Sequence, residues 1–209
     1  MTEILFIGDV HGKWNSYANI LMTENPEMSI QVGDFGLGFG ESDHDRESLY
    51  KVMDANGANN RYIRGNHDNP AMALADPRCM ADGSYDEEHG IFYLGGAVSI
   101  DAEWCIEGLD WWADEEMSYD ALFSAIDLYE KVKPRIVVSH ECPEDLAWQF
   151  FNWYKGEFKS RTREALASMR EIHKPELHVF GHWHHNIDAI VDGTRYVCLN
   201  ELNTMKVTI

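Results

Sequence analysis

Ile4-Leu5-Phe6-Ile7-Gly8-Asp9-Val10-His11 decides the fold: a short apolar run, a glycine, then a carboxylate and an imidazole two positions apart. Four-residue runs rich in Ile and Val are better strands than helices, and burial on both faces removes their polar alternation. On an extended segment residues two apart share a side, so Asp9 and His11 are expected to point the same way. The pattern returns further along. Ser29-Ile30-Gln31-Val32 leads into Gly33-Asp34, and Arg61-Tyr62-Ile63-Arg64 into Gly65-Asn66-His67-Asp68. Arg135-Ile136-Val137-Val138 leads into Ser139-His140, and Leu177-His178-Val179-Phe180 into Gly181-His182-Trp183-His184.

Between these runs, helical patterns are expected over 14–23, 46–56, 119–131 and 162–173. Strand alternating with helix predicts an α/β fold with buried, largely parallel strands. After Asn186 the short alternating runs 187–190, 196–199 and 205–209 predict antiparallel strands, two of them joined at Asp192-Gly193. At 209 residues the chain reads as a single domain, 1–209, without internal repeats.

Composition narrows the chemistry. A net charge of −19 argues against an extended nucleic acid as partner and favours divalent cations. Cys79, Cys105, Cys142 and Cys198 form no CxxC pair and read as free thiols. No run of about 18 apolar residues predicts a membrane span. No basic, apolar leader follows Met1, so the expected location is cytoplasmic.

In open α/β sheets, ligands gather beyond the carboxyl ends of the strands. Five expected strands each deliver a metal-competent residue there. Asp9, His11, Asp34, Asn66, His140, His182 and His184 are more donors than one cation needs, and suit two cations sharing a bridging carboxylate. Imidazole and carboxylate without thiolate favour manganese, with iron, zinc or nickel as alternatives. Gly8, Gly33, Gly65 and Gly181 let the backbone approach closely. Two such cations activate water and clamp the attacking and leaving oxygens of a phosphoryl displacement.

As a set, these motifs resemble the calcineurin-like metallophosphoesterase superfamily in order and spacing, from residue 8 to residue 184. The resemblance implies two stacked mixed β-sheets flanked by helices, a four-layer sandwich. It implies that Asp9, His11 and His184 hold one metal, that Asn66, His140 and His182 hold the other, and that Asp34 bridges them. His67 is then the proton donor to the leaving oxygen, and a metal-bridging hydroxide is the nucleophile. An extended segment would turn His67 away from its neighbour Asn66, as suits a non-ligand.

The protein-phosphatase branch continues Gly-Asp with aspartate, arginine and glycine, whereas Gly33-Asp34-Phe35-Gly36-Leu37-Gly38-Phe39-Gly40 stands here. An acidic partner for His67 and a phosphate-gripping arginine are thereby missing. Small bacterial and phage-type phosphoesterases are more similar, including Leu94-Gly95-Gly96-Ala97 and Trp111-Trp112. The expected activity is hydrolysis of small phosphodiesters or phosphomonoesters such as nucleotides. A protein phosphatase and a non-catalytic metal-binding scaffold are the alternatives.

Other residues carry weaker expectations. Arg64, Arg161 and Arg163 are candidates to hold phosphate. Trp14, Trp111-Trp112, Phe150-Phe151 and Trp153-Tyr154 read first as core or loop anchors and second as a substrate pocket. Asp68, ahead of Asn69-Pro70, is expected to cap or orient a helix. Asp86-Glu87-Glu88 and Asp114-Glu115-Glu116 read as solvated acidic loops.

Overall fold

A computed structural model describes residues 2–38, 43–55, 59–151, 156 and 158–209. Phe39 and Gly40 of the glycine-rich loop, Asn56, and the Trp153-Tyr154 pair lie outside the described residues.

The first sheet is built from β1 (Glu3–Ile7), β2 (Met28–Gln31), β3 (Asn59–Tyr62) and β10 (Thr204–Thr208). Its order is β10-β1-β2-β3, with β10 antiparallel to β1 and the rest parallel. The second contains β4 (Ser84–Asp86), β5 (Ile91–Leu94), β6 (Ile136–Ser139), β7 (Leu177–Phe180), β8 (Ile187–Val191) and β9 (Thr194–Cys198). Its order is β4-β5-β6-β7-β9-β8, parallel in the centre and antiparallel at both edges.

Alternation along each strand explains the stacking. Ile4 and Phe6 of β1 face Ile91 and Tyr93 of β5 and Ile136 and Val138 of β6 in one core between the sheets. Leu5 and Ile7 turn outward onto Trp14, Tyr17 and Leu21 of α1 (Trp14–Glu24) and Leu49 and Met53 of α2 (Asp43–Met53). Phe92 and Leu94 turn outward onto a further pair of helices. These follow after α3 (Pro70–Ala75) and are α4 (Tyr119–Val132) and, beyond α5 (Glu144–Phe150), α6 (Arg161–Ile172). Two mixed sheets flanked by helices result, as expected. Trp14 is core.

Ser118 and Ser160 cap α4 and α6 by accepting the N–H of Ala121 and Arg163, worth about 1 kcal/mol each. The five motif-bearing strands divide between two sheets rather than lining the edge of one. β5 also escapes the sequence reading, because Ile91-Phe92-Tyr93-Leu94 precedes a Gly-Gly joint instead of a donor residue.

Candidate metal centre

Asp9, Asp34 and Asn66 follow the carboxyl ends of β1, β2 and β3, while His140 and the His182/His184 pair follow β6 and β7. The centre therefore lies where parallel strands of both sheets end. The loops are tied to one another by their main chains. Val10 and His11 donate N–H to the Asp34 carbonyl at 3.0 and 2.8 Å, and Gly181 donates to that of His140 at 3.2 Å. The N–H of His182 reaches Asp9 Oδ2 at 3.1 Å, and that of His67 reaches Asp34 Oδ1 at 2.9 Å.

Two groups of donors form, and Asp34 belongs to both. In one, His184 Nε2 lies 3.2 Å from Asp9 Oδ2 and 3.0 Å from His11 Nε2, which is itself 3.8 Å from Asp34 Oδ2. In the other, His140 Nε2 lies 3.3 Å from Asp34 Oδ1 and 3.2 Å from Asn66 Oδ1, with the His182 ring centroid 5.1 Å from that of His140. All seven expected donors are brought together. The His67 ring stands beside them, its centroid 5.6 Å from that of His11.

The backbone reaches this arrangement differently from the extended geometry expected. His11, Asp34, His182 and His184 have φ of 48, 53, 66 and 49°, in the left-handed region, and Asn66 and His67 lie in a turn. A left-handed non-glycine residue costs about 1–2 kcal/mol, and such strain gathers where a site must be aimed. These residues turn the chain two to four positions beyond the ends of β1, β2 and β7, which lets donors from two sheets meet where extended chain would carry them past one another.

The residues fit a pair of divalent cations. A Cβ on Gly65 would lie 2.1 Å from Asp34 Oδ1, one on Gly181 2.1 Å from Asp9 Oδ1, and one on Gly33 2.3 Å from His140 Nδ1. The chain is thus pressed against the donors as closely as glycine permits. Burial alone would favour a neutral Asp34 and a neutral His140. Their mutual attraction wins: Asp34 is held well below the usual carboxylate range, and His140 is pushed up to about 10. His182 is held well below its ordinary value by burial and by the nearby His140.

Several surrounding residues take roles the sequence did not disclose. Asp68 caps no helix; Asn69 does that, accepting the Met72 N–H. The fully buried Asp68 carboxylate instead accepts the N–H groups of Phe35, Gly36, Leu37 and Gly65 at 2.6–2.9 Å, clamping the Asp34 loop to the Asn66 loop. Glu141 is completely buried behind His182, its Oε2 3.7 Å from His182 Nε2, and it accepts the Trp183 indole N–H at 2.6 Å. Its position next to His140 was the one available signal.

Of the acidic run 114–116, Asp114 is exposed as expected, but the two glutamates are not. Glu115 and Glu116 are 6% and 7% exposed, and Glu116 binds Ser160 and the N–H of Thr162 at the start of α6. The candidate arginines are committed elsewhere. Arg64 pairs with Asp82 at 2.6 Å, Arg161 lies 3.5 Å from Glu116, and Arg163 lies 2.8 Å from Glu144. Phe151 stacks on Trp183 at 4.1 Å and 1°, which makes it an anchor for the loop between the two histidines. Trp112 is buried.

A family model of calcineurin-like phosphoesterases matches residues 2–186. No curated protein matches the sequence. Among solved structures, a Thermus thermophilus protein superposes with a TM-score of 0.63 at 12% identity, over 96% of this chain and 89% of that one. A dimetal phosphatase from Danio rerio gives 0.60 at 14%, over 96% and 87%. A Plasmodium protein described as the anchor in the inner membrane complex gives 0.52 at 10%, over 96% and 72%. At these identities the likeness speaks for the fold.

Proposed function

The chain belongs to the calcineurin-like phosphoesterase family, and from that premise we propose that it is a two-metal hydrolase of small phosphate esters. Phosphodiesters and phosphomonoesters such as nucleotides are the substrate class, and residues 1–209 act as one domain. Asp9, His11 and His184 hold one divalent cation, Asn66, His140 and His182 hold the second, and Asp34 belongs to both. The observation that carries the reading is the pair of donor groups meeting at Asp34.

Two such cations, manganese first among them, supply Lewis-acid activation of water and neutralise phosphoryl oxygens. The protein's own groups do the rest. His67 stands at the edge of the centre and delivers a proton to the leaving oxygen. Asp68 fixes the two loops that carry Asp34 and His67 relative to each other.

Small substrates are favoured because Arg64, Arg161 and Arg163 are engaged with protein carboxylates and because a surface of net charge −19 repels polyanions. Among the described residues no helix is long and apolar enough to cross a membrane. A purely structural use of the fold would not require a complete set of donors beside His67.

The test is hydrolysis of bis(p-nitrophenyl) phosphate and p-nitrophenyl phosphate by metal-stripped protein resupplied with Mn²⁺, Mg²⁺, Zn²⁺ or Ni²⁺. Metal-dependent turnover lost in Asp34→Asn and His67→Ala supports the reading, and the preferred ester identifies the subclass. Folded protein that binds metal yet turns over neither ester, nor any nucleotide, would sink it.

A further inference from the structure

We propose that Ser99 and Glu115 are positioning residues for Asn66, fixing which end of its amide faces the second cation. The inference rests on the two-metal reading above. An asparagine amide is nearly symmetric in shape, yet only its oxygen binds a cation; the NH₂ end repels one. Something must therefore choose between two orientations related by a half-turn, and His140 does not: its Nδ1 donates to the Val32 carbonyl at 2.9 Å, which leaves Nε2, 3.2 Å from Asn66 Oδ1, for the cation. The choice has to come from elsewhere.

It comes from a directional chain of hydrogen bonds. Asn66 Nδ2 donates to Ser99 Oγ at 3.0 Å, and Ser99 Oγ donates to Glu115 Oε2 at 2.5 Å. A serine hydroxyl has one proton, and a carboxylate can only accept. With that proton committed to Glu115, Ser99 has only lone pairs to offer Asn66. Reversing the amide would set oxygen against oxygen, so Oδ1 is left facing His140 and the metal position. The second carboxylate oxygen of Glu115 takes the backbone N–H of Ser99 at 2.9 Å, which fixes the hydroxyl's place as well as its direction. Asn66, Ser99 and Glu115 are 2%, 5% and 6% exposed, so little water competes.

The joint is built into the main chain. Gly96 has φ +79°, and a Cβ there would stand 2.3 Å from the Glu115 carbonyl oxygen. A Cβ on Gly95 would stand 2.7 Å from the carbonyl oxygen of Arg64, whose Nη1 donates to the carbonyls of Asp114 and Glu115 at 3.2 and 2.7 Å. The Gly-Gly pair after β5 thus lets the chain lie against the residues on either side of the chain's path to Asn66. Residues 100–114 form an excursion whose base is this same junction.

Mn²⁺ titration of metal-stripped protein by calorimetry and EPR tests the proposal. Wild type is expected to bind two Mn²⁺ with a spin-coupled spectrum. Ser99→Ala should keep one affinity and weaken the other about 10–100-fold, so that the coupled signal emerges only at correspondingly higher Mn²⁺. Ser99→Thr, which keeps the hydroxyl, should restore it. Two unchanged affinities in folded Ser99→Ala overturn the proposal. So does equal weakening of both sites, the behaviour of a latch that merely closes the excursion. If Ser99→Ala does not fold, Glu115→Gln is read by the same criteria. Failure of wild type to bind a second Mn²⁺ is a different result: it removes the two-metal reading, and this inference with it.

Discussion

The backbone N–H of His67 donates to Oδ1 of Asp34 at 2.9 Å. The residue assigned to the leaving-group proton is therefore tied through its main chain to the carboxylate common to both donor groups. Its side chain can be removed without cutting that tie. His67→Ala is expected to bind two Mn²⁺ as wild type does while kcat falls about a hundred- to ten-thousand-fold. Calorimetry and single-turnover kinetics on one preparation separate the two quantities. Loss of metal binding would make His67 part of the cage instead of the chemistry.

Asp68 should prove one of the least replaceable side chains outside the donor set. Its carboxylate accepts four backbone N–H groups from two loops. Burial and the nearby Asp34 raise its pKa, and those N–H groups oppose the rise. Removing the acceptor strands buried donors at about 1 kcal/mol or more each. Asp68→Ala is expected to lose on the order of 4 kcal/mol in urea unfolding, and any folded fraction to bind Mn²⁺ poorly because the Asp34 loop is released. A loss below about 1 kcal/mol, the scale of a single ordinary hydrogen bond, would show that the clamp is dispensable.

The convergence of Asp9, Asp34, His140, His182 and His184 was legible because it leaves a local mark: each strand is followed by a residue type that few other purposes would place there. The layering was legible less directly, since Ile4-Leu5-Phe6-Ile7 and Ile136-Val137-Val138-Ser139 look alike yet belong to different sheets. What failed to show was anything decided by a distant contact. Asp114-Glu115-Glu116 has the composition of a solvated loop, yet its two glutamates are engaged by Ser99 on one side and by Ser160 and Thr162 on the other. Asp68 looks like a cap because Asn69-Pro70 follows, and the loop that actually engages it is some thirty residues earlier in the chain. The left-handed φ of His11 and His184 has no signature in residue type, because histidine is used there for its nitrogen.

His178 predicts an acid sensitivity separate from the metal centre. It is a buried residue of β7 with its ring beside those of Phe180 and Tyr196, and desolvation pulls its pKa down to about 3. The Ser139 hydroxyl donates to the Glu141 carbonyl, so His178 Nε2, 2.6 Å from Ser139 Oγ, is the donor of that pair and the ring is neutral. The unfolded chain takes up a proton below about pH 6.5, whereas the folded chain does not until about pH 3. Stability is therefore lost as pH falls through this window, by about 2 kcal/mol at pH 5. Urea midpoints of metal-stripped protein should show this slope, and His178→Gln should flatten it. An identical slope in the variant would assign the acid sensitivity to other groups.

Three glycines allow the metal geometry to be probed by size alone. A Cβ on Gly65 would come within 2.1 Å of Asp34 Oδ1, 2.3 Å of the Asp34 backbone nitrogen and 2.7 Å of His140 Nε2, so the Gly65 loop must shift relative to both donors. Asp34 belongs to both groups, and Gly65→Ala should weaken both cations, by more than the roughly 10–100-fold typical of changes one layer further out. A Cβ on Gly181 would crowd Asp9 at 2.1 Å, a donor of one group only. Gly181→Ala should therefore weaken one cation and spare the other. Gly8→Ala is the control: its Cβ would meet the carbonyl oxygen of Asn200 at 2.0 Å, an equal clash against an atom outside the donor set. It should lower the melting temperature while the surviving folded protein keeps both Mn²⁺ affinities. If all three variants lose metal binding in proportion to stability, the centre responds to general loosening and not to the placement of Asp34 and Asp9. If the losses divide as two, one and none, Asp34 is the carboxylate that both cations share.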